Sequence, residues 1–185
     1  MKEYKRNTAL FSLCGLNCAL CPRFHTEGTS KCPGCGGEDF SLKHPTCAVV
    51  TCNDKHDHVE FCFECSQYPC ERYKNANLLD SFISYKNVSQ NMADAKQDLH
   101  GYLTELKEKQ AILETLIGSY NDGRSKGFYC LAVNLLPLVT LRDIMQQIHA
   151  TTDVGGYEPK AVAKVVIVLI KEKATELHIE LKLRK

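Results

Sequence analysis

Met92, Ala95, Leu99, Leu103, Leu106, Leu113, Ile117 and Tyr120 recur at spacings of three, four and seven. That is the period of one helix face, and it predicts an amphipathic helix over residues 89–120. Lys96, Asp98, Glu105, Lys107, Glu108 and Lys109 fall on the opposite face. Ser89 or Asn91 suits the helix start. Asn121-Asp122-Gly123 suits its end, because these residues tolerate the left-handed conformation. Gly101 costs about 1 kcal/mol relative to alanine inside a helix, so a kink or a close approach is expected there.

The same period continues downstream. Phe128, Leu131, Leu135 and Leu136 form one apolar face, and Leu138, Leu141, Ile144, Met145 and Ile148 form the next. Pro137 divides them into two helices, or one broken helix, over residues 125–149. Asp153, Gly155 and Gly156 predict a loop. Pro159 suits the first turn of a helix running to about Lys173, with Val162, Val165, Val166, Leu169 and Ile170 on its apolar side. The period then changes. Leu177, Ile179, Leu181 and Leu183 alternate with His178, Glu180, Lys182 and Arg184, which predicts a final short strand. A strand needs a partner, and Val59–Phe63 is the candidate.

Upstream of residue 75 the helical pattern is missing. Thr8–Leu13 reads as a helix turn or a short strand. Residues 14–74 are poor in apolar side chains and rich in Gly, Pro, Asp and His. Such a segment buries too little apolar surface to offset its chain entropy, so something else must hold it. Leu78, Leu79, Phe82 and Ile83 form a small apolar face in a linker or short helix over residues 75–88. The expected architecture is small and α+β: a cysteine-rich, zinc-ribbon-like module of loops and short strands (residues 1–74) docked on a helical half (residues 75–185).

The cysteines supply the missing staple. Of eleven, all but Cys130 lie between Cys14 and Cys70. Cys18–Cys21, Cys32–Cys35 and Cys62–Cys65 each enclose two residues, so that one tight turn offers two corners of a tetrahedral thiolate site. Cys32-Pro33-Gly34-Cys35-Gly36 has the strongest turn chemistry: the proline stiffens it, and the glycines let backbone amides approach the sulfurs. The first site is assigned to Cys18, Cys21, Cys32 and Cys35. The second is assigned to Cys47, Cys52, Cys62 and Cys65, with His44, His56 and His58 as competing ligands. No histidine pair has finger spacing, which favours four cysteines. Cys14 and Cys70 are left over. They are packed thiols, a reactive pair, or alternative ligands, with Cys14 able to replace Cys18 or the two sites able to interleave. Cys130, among Phe128, Tyr129 and Leu131, reads as a core thiol. His25, His100, His149 and His178 read as structural or solvated.

Composition narrows the role. The net charge of +1 supplies no field for nucleic acid or anionic lipid. The apolar run Thr8–Leu13 is too short for a signal core. No run reaches the ~18 apolar residues of a membrane span, and Val162–Ile170 is interrupted by Lys164. A cytoplasmic protein with reduced thiols is expected, where clustered cysteine pairs mean metal more often than disulfide. No Walker loop, GxGxxG, HExxH or GxSxG is present. Asn121-Asp122-Gly123-Arg124-Ser125 is a helix-to-helix turn, or an anion loop at the next helix start. The leading reading is therefore a metal-binding protein rather than an enzyme. It holds two zinc ions and acts as an adaptor for a protein partner. The alternative is an iron–sulfur or redox accessory protein using Cys14-x3-Cys18-x2-Cys21, a spacing also found in radical S-adenosylmethionine enzymes.

Cys14-Gly15-Leu16-x-Cys18-x2-Cys21-Pro22, Cys32-x-Gly34-Cys35-Gly36 and Cys62-x2-Cys65-x3-Pro69-Cys70-Glu71 together resemble the family called domain of unknown function 3795. Tyr120–Arg124 and Phe128–Ala132 are similar to its longer members. The resemblance implies a small, cysteine-rich, prokaryotic, metal-binding protein, and it carries over no catalytic residue.

Overall fold

The computed structural model of the chain describes residues 4–44, 46–56, 58–74, 79–152 and 159–185. Three short helices lie in the cysteine-rich half: α1 (Phe40–Lys43), α2 (Ala48–Asn53) and α3 (Glu71–Lys74). Five follow: α4 (Val88–Gln97), α5 (Leu99–Tyr120), α6 (Lys126–Leu135), α7 (Leu138–Thr152) and α8 (Pro159–Glu176). There is no strand among the described residues, and helix covers 57% of the chain, so the expected α+β class with short strands is overturned. The expected loop at Asp153, Gly155 and Gly156 and the apolar position Leu78 lie outside the described residues.

The long amphipathic stretch folds as two helices. The break falls at Asp98, whose backbone is extended (φ −146°, ψ 90°), not at Gly101. Asp98 instead caps α5, accepting the Gly101 N–H on Oδ1 at 2.9 Å. A Cβ on Gly101 would strike the Asp98 carboxylate, which is why a glycine stands there. α5 then packs on α4, α6, α7 and α8. Its Leu106, Leu113 and Leu116 are buried with Val133, Leu136, Leu141, Ile144, Val166 and Ile170. Each such side chain contributes about 1.5–3 kcal/mol on burial. Between α5 and α6, Asp122 Oδ1 accepts the Ser125 N–H (3.0 Å) and hydroxyl (2.7 Å) and the Arg124 N–H (2.9 Å). A carboxylate of the chain itself therefore fills the position that an external anion would take.

The C-terminal alternation is real, but its partner is a helical surface. His178 turns left-handed (φ 55°) after α8. The His178 N–H then donates to Thr175 O (3.0 Å), and the Ile179 N–H to Ala174 O (2.8 Å). This is a Schellman C-cap, with Ile179 following as the apolar residue that such caps bring back onto their helix. Ile179 and Leu181 pack on the core while His178, Glu180 and Lys182 face solvent. The tail is fastened at Arg184 and Asp80, not in a ladder. Its proposed strand partner, Val59–Phe63, ends in a 3-10 turn instead. Leu79 and Phe82 are exposed and only Ile83 is buried, so the expected linker face does not form among them.

The cysteine-rich half has more core than its composition suggests. Phe11, Ala19, Leu20 and Phe61 are buried in the same apolar cluster as the five long helices. Leu13, Cys35 and Phe40 form a smaller one. A buried polar network joins the halves. Tyr102 donates to Asn17 Oδ1 (2.8 Å), Asn17 Nδ2 to Asn134 Oδ1 (3.4 Å), and Asn91 Nδ2 to Gly15 O (3.0 Å).

Candidate metal centre

The segment from Arg6 to Leu13 is neither strand nor helix, yet it organises the thiols. Its carbonyls accept from three separate turns: Ala9 O from Cys35 N–H (3.0 Å), Leu10 O from Ala19 N–H (2.9 Å) and Leu13 O from Cys62 N–H (3.0 Å). Arg6 anchors the segment. Its side chain is only 2% exposed, and it donates to Phe11 O at 2.8 Å and Glu60 O at 3.1 Å. Glu60 answers by accepting the Thr8 N–H at 2.9 Å.

Two of the cysteine pairs share one local geometry. Cys18–Leu20 and Cys62–Glu64 are single 3-10 turns, each closed by the second cysteine's N–H donating to the first cysteine's carbonyl at 3.1 Å. Glu64 steadies the second by accepting the Phe61 N–H (3.0 Å). The Cys32–Cys35 pair uses glycine instead. Gly34 is left-handed (φ +84°), and a Cβ there would meet the Ala9 carbonyl. Only glycine permits that crossing without strain.

Donor groups face several sulfurs. The Arg23 and Phe24 N–H groups face Cys21, and the Leu16 N–H faces Cys14. Ser12 Oγ lies 3.2 Å from Cys14 Sγ. The Cys35 N–H, which donates to the Ala9 carbonyl, also lies near Cys18, and the Leu13 N–H and the Arg6 guanidinium face Cys35. Donors so placed disperse the charge of a thiolate ligand. As free thiols, all are pushed up by burial: Cys14 to about 11, Cys62 to about 12, and Cys18 well above its ordinary value. Neighbouring thiols push Cys18 further in the same direction. The Ser12 hydroxyl opposes the effect at Cys14, and Arg6 opposes it at Cys35.

The sulfurs fall into overlapping neighbourhoods. Cys52, Cys62, Cys65 and Cys70 line one cavity of about 530 Å³, together with His56 and Tyr73. Cys14, Cys18 and Cys35 lie within electrostatic reach of one another. Cys21 faces Cys32 in the same way, and from α6 Cys130 faces Cys21. Cys47 does not line that cavity, and it lies within electrostatic reach of Cys14 and Cys35. It lines a second cavity of about 520 Å³ with His44 and His58. Sequence spacing pairs Cys47 with Cys52, whereas the fold gives the cavity position to Cys70. Cys14 is within electrostatic reach of Cys18, Cys35, Cys47 and Cys62. His25 is spent on the Ala19 carbonyl at 2.6 Å, and His44 stacks on Phe40 at 4.6 Å. Cys130 is 2% exposed in the main core.

The donor chemistry fits a thiolate-held metal, and the four-thiol cavity has its ligand types. Among the described residues, however, no three His, Cys, Asp or Glu side chains stand close enough to hold an ion as folded. Closing a site requires the side chains to turn inward. Tyr73 and Arg6 are invisible to spacing rules. For Tyr73 the sequence signal is the Pro69-Cys70-Glu71 run just before it.

Residues 10–75 match the model of a family described as "Protein of unknown function (DUF3795)". No curated protein and no solved structure matches the chain. No helix among the described residues is long and apolar enough to cross a membrane.

Proposed function

We propose that this chain, which belongs to that family through residues 10–75, is a metal-binding protein that uses cysteine thiolates to fix a surface for a protein partner. The observation that carries the reading is the cavity walled by Cys52, Cys62, Cys65 and Cys70, with His56 as a further donor. Four thiolates satisfy a tetrahedral zinc ion and leave no open position, which favours a structural role over a catalytic one. A second ion would draw on Cys18, Cys21, Cys32 and Cys35, with Cys14 placed to exchange for one of them. Bound zinc would supply cross-links to a segment whose helices are too short to stand alone. The balanced charge gives no support for nucleic acid as the partner.

A specific observation favours iron–sulfur as a second reading. Cys14 and Cys18 are both half-buried and within electrostatic reach of one another, with hydrogen-bond donors near their sulfurs. Low solvent exposure and such donors are what thiolate-held clusters use.

Elemental analysis with an absorption spectrum, on protein purified anaerobically from cells given both iron and zinc, tests both readings. About two zinc ions per chain without colour supports the structural reading. Iron with sulfide and absorption near ~400 nm supports the cluster. Neither metal would overturn both.

A further inference from the structure

We propose that Tyr73 is a positioning residue of the four-thiol cavity, its hydroxyl held in place to donate to the thiolate form of Cys62. The inference rests on the metal-binding reading above. Tyr73 lies in α3, three residues beyond Cys70, and its N–H donates to the Cys70 carbonyl at 2.9 Å. Its ring packs edge-on against Tyr68, with centroids 4.9 Å apart at 72°. The ring is thus fixed by packing alone, and phenylalanine would serve as well. The hydroxyl, however, is wholly buried, and no acceptor stands in hydrogen-bond geometry to it as folded. The group it faces is the Cys62 sulfur, on the shared cavity wall.

A buried hydroxyl without a partner destabilises the fold that contains it. A neutral thiol is a weak acceptor and offsets little of this. A metal-bound thiolate is a charged acceptor and makes the hydroxyl useful. The hydroxyl is therefore matched to the loaded state. It also gives Cys62 a buried donor of its own.

Cobalt(II) titration of the reduced full chain is the test, followed by displacement with zinc and competition against a chelator. Tyr73→Phe should weaken cobalt affinity about tenfold and shift the sulfur-to-cobalt charge-transfer band. It should leave the thermal transition of metal-free protein unchanged or higher. In a Cys62→Ser background the same substitution should have no effect on either readout. Equal affinity and an unshifted band in Tyr73→Phe would overturn the inference and leave the metal reading standing. An undiminished Tyr73→Phe effect without Cys62 would also overturn it. A wild-type chain that takes up no cobalt would overturn both.

Discussion

Asp80 and Arg184 hold each other by backbone and side chain together. The Asp80 N–H donates to Arg184 O at 3.0 Å, and the Arg184 N–H donates to Asp80 Oδ2 at 2.8 Å. Arg184 Nη2 reaches Asp80 Oδ1 at 3.0 Å. The Asp80 side chain is fully buried, and it also accepts the Tyr85 N–H at 2.8 Å. Burial pushes its carboxyl up, but the Arg184 and Tyr85 N–H groups, the Arg184 guanidinium and the Ser84 hydroxyl outweigh this. The net position is below the usual carboxylate range. A carboxylate depressed in the folded state contributes stability above its unfolded pKa of about 4, and that stability is lost as pH falls through the folded value. Asp80→Asn should cost about 1.5–3 kcal/mol at neutral pH through weakened charge-assisted hydrogen bonds and flatten the acid limb of a urea-denaturation series. An unchanged acid limb would separate the pair from stability.

The Tyr102 hydroxyl is the donor that fixes Asn17, and Asn17 in turn reaches Asn134 on α6. Tyr102→Phe leaves Asn17 Oδ1 without that donor, at a cost of about 1–3 kcal/mol. The loss should appear as a lower denaturation midpoint with an unchanged denaturant slope.

Gly34→Ala should damage the Cys32–Cys35 turn specifically. The substitution combines a left-handed backbone with contact on the Ala9 carbonyl, and a penalty of about 1–3 kcal/mol is expected. Gly118 is exposed with nothing within contact of an added Cβ, and Gly118→Ala should be neutral or stabilising by helix propensity. Comparing the two thermal transitions checks this.

Cys70 lines the four-thiol cavity and Cys47 does not. Cys70→Ser should weaken metal binding at least tenfold, and Cys47→Ser should leave that site's affinity unchanged. Chelator competition with each variant measures the difference. The reverse order would restore the pairing that sequence spacing suggests.

Lys109 is desolvated between helices, and burial lowers its pKa to about 8 while Nζ donates to Leu136 O at 2.7 Å. Its folded pKa is below the unfolded one, so the unfolded chain binds more protons between about pH 8 and about 10.4 and stability rises with pH there. The stability difference between the wild type and Lys109→Met should shift in the wild type's favour across that window. A constant difference would mean that Lys109 titrates normally.

The helical half was largely legible because period reports burial. α5, α6, α7 and α8 all follow from apolar spacing, Pro137 and Pro159. The break at Asp98 was hidden because Leu99 continues the apolar row through it, and capping by a side chain leaves the row intact. The C-terminal strand was misread for a related reason. Alternation reports one-sided burial of extended chain, and α8 with its neighbours supplies that one side as well as a sheet would. In the cysteine half, spacing identified three tight turns but not which sulfurs share a wall. That depends on where the Arg6–Leu13 segment crosses, which no short-range rule encodes.

Phe11, Leu20 and Phe61 are buried in one cluster with side chains from α4, α5 and α6. Their burial contributes about 1.5–3 kcal/mol each and depends on the helical half. The segment spanning residues 10–75 is thus one half of a joint. Any polypeptide that carries a copy of it must bring its own apolar wall or borrow one from another chain. Grafted onto a partner with no such wall, it would be expected to associate with itself or with the nearest exposed helix.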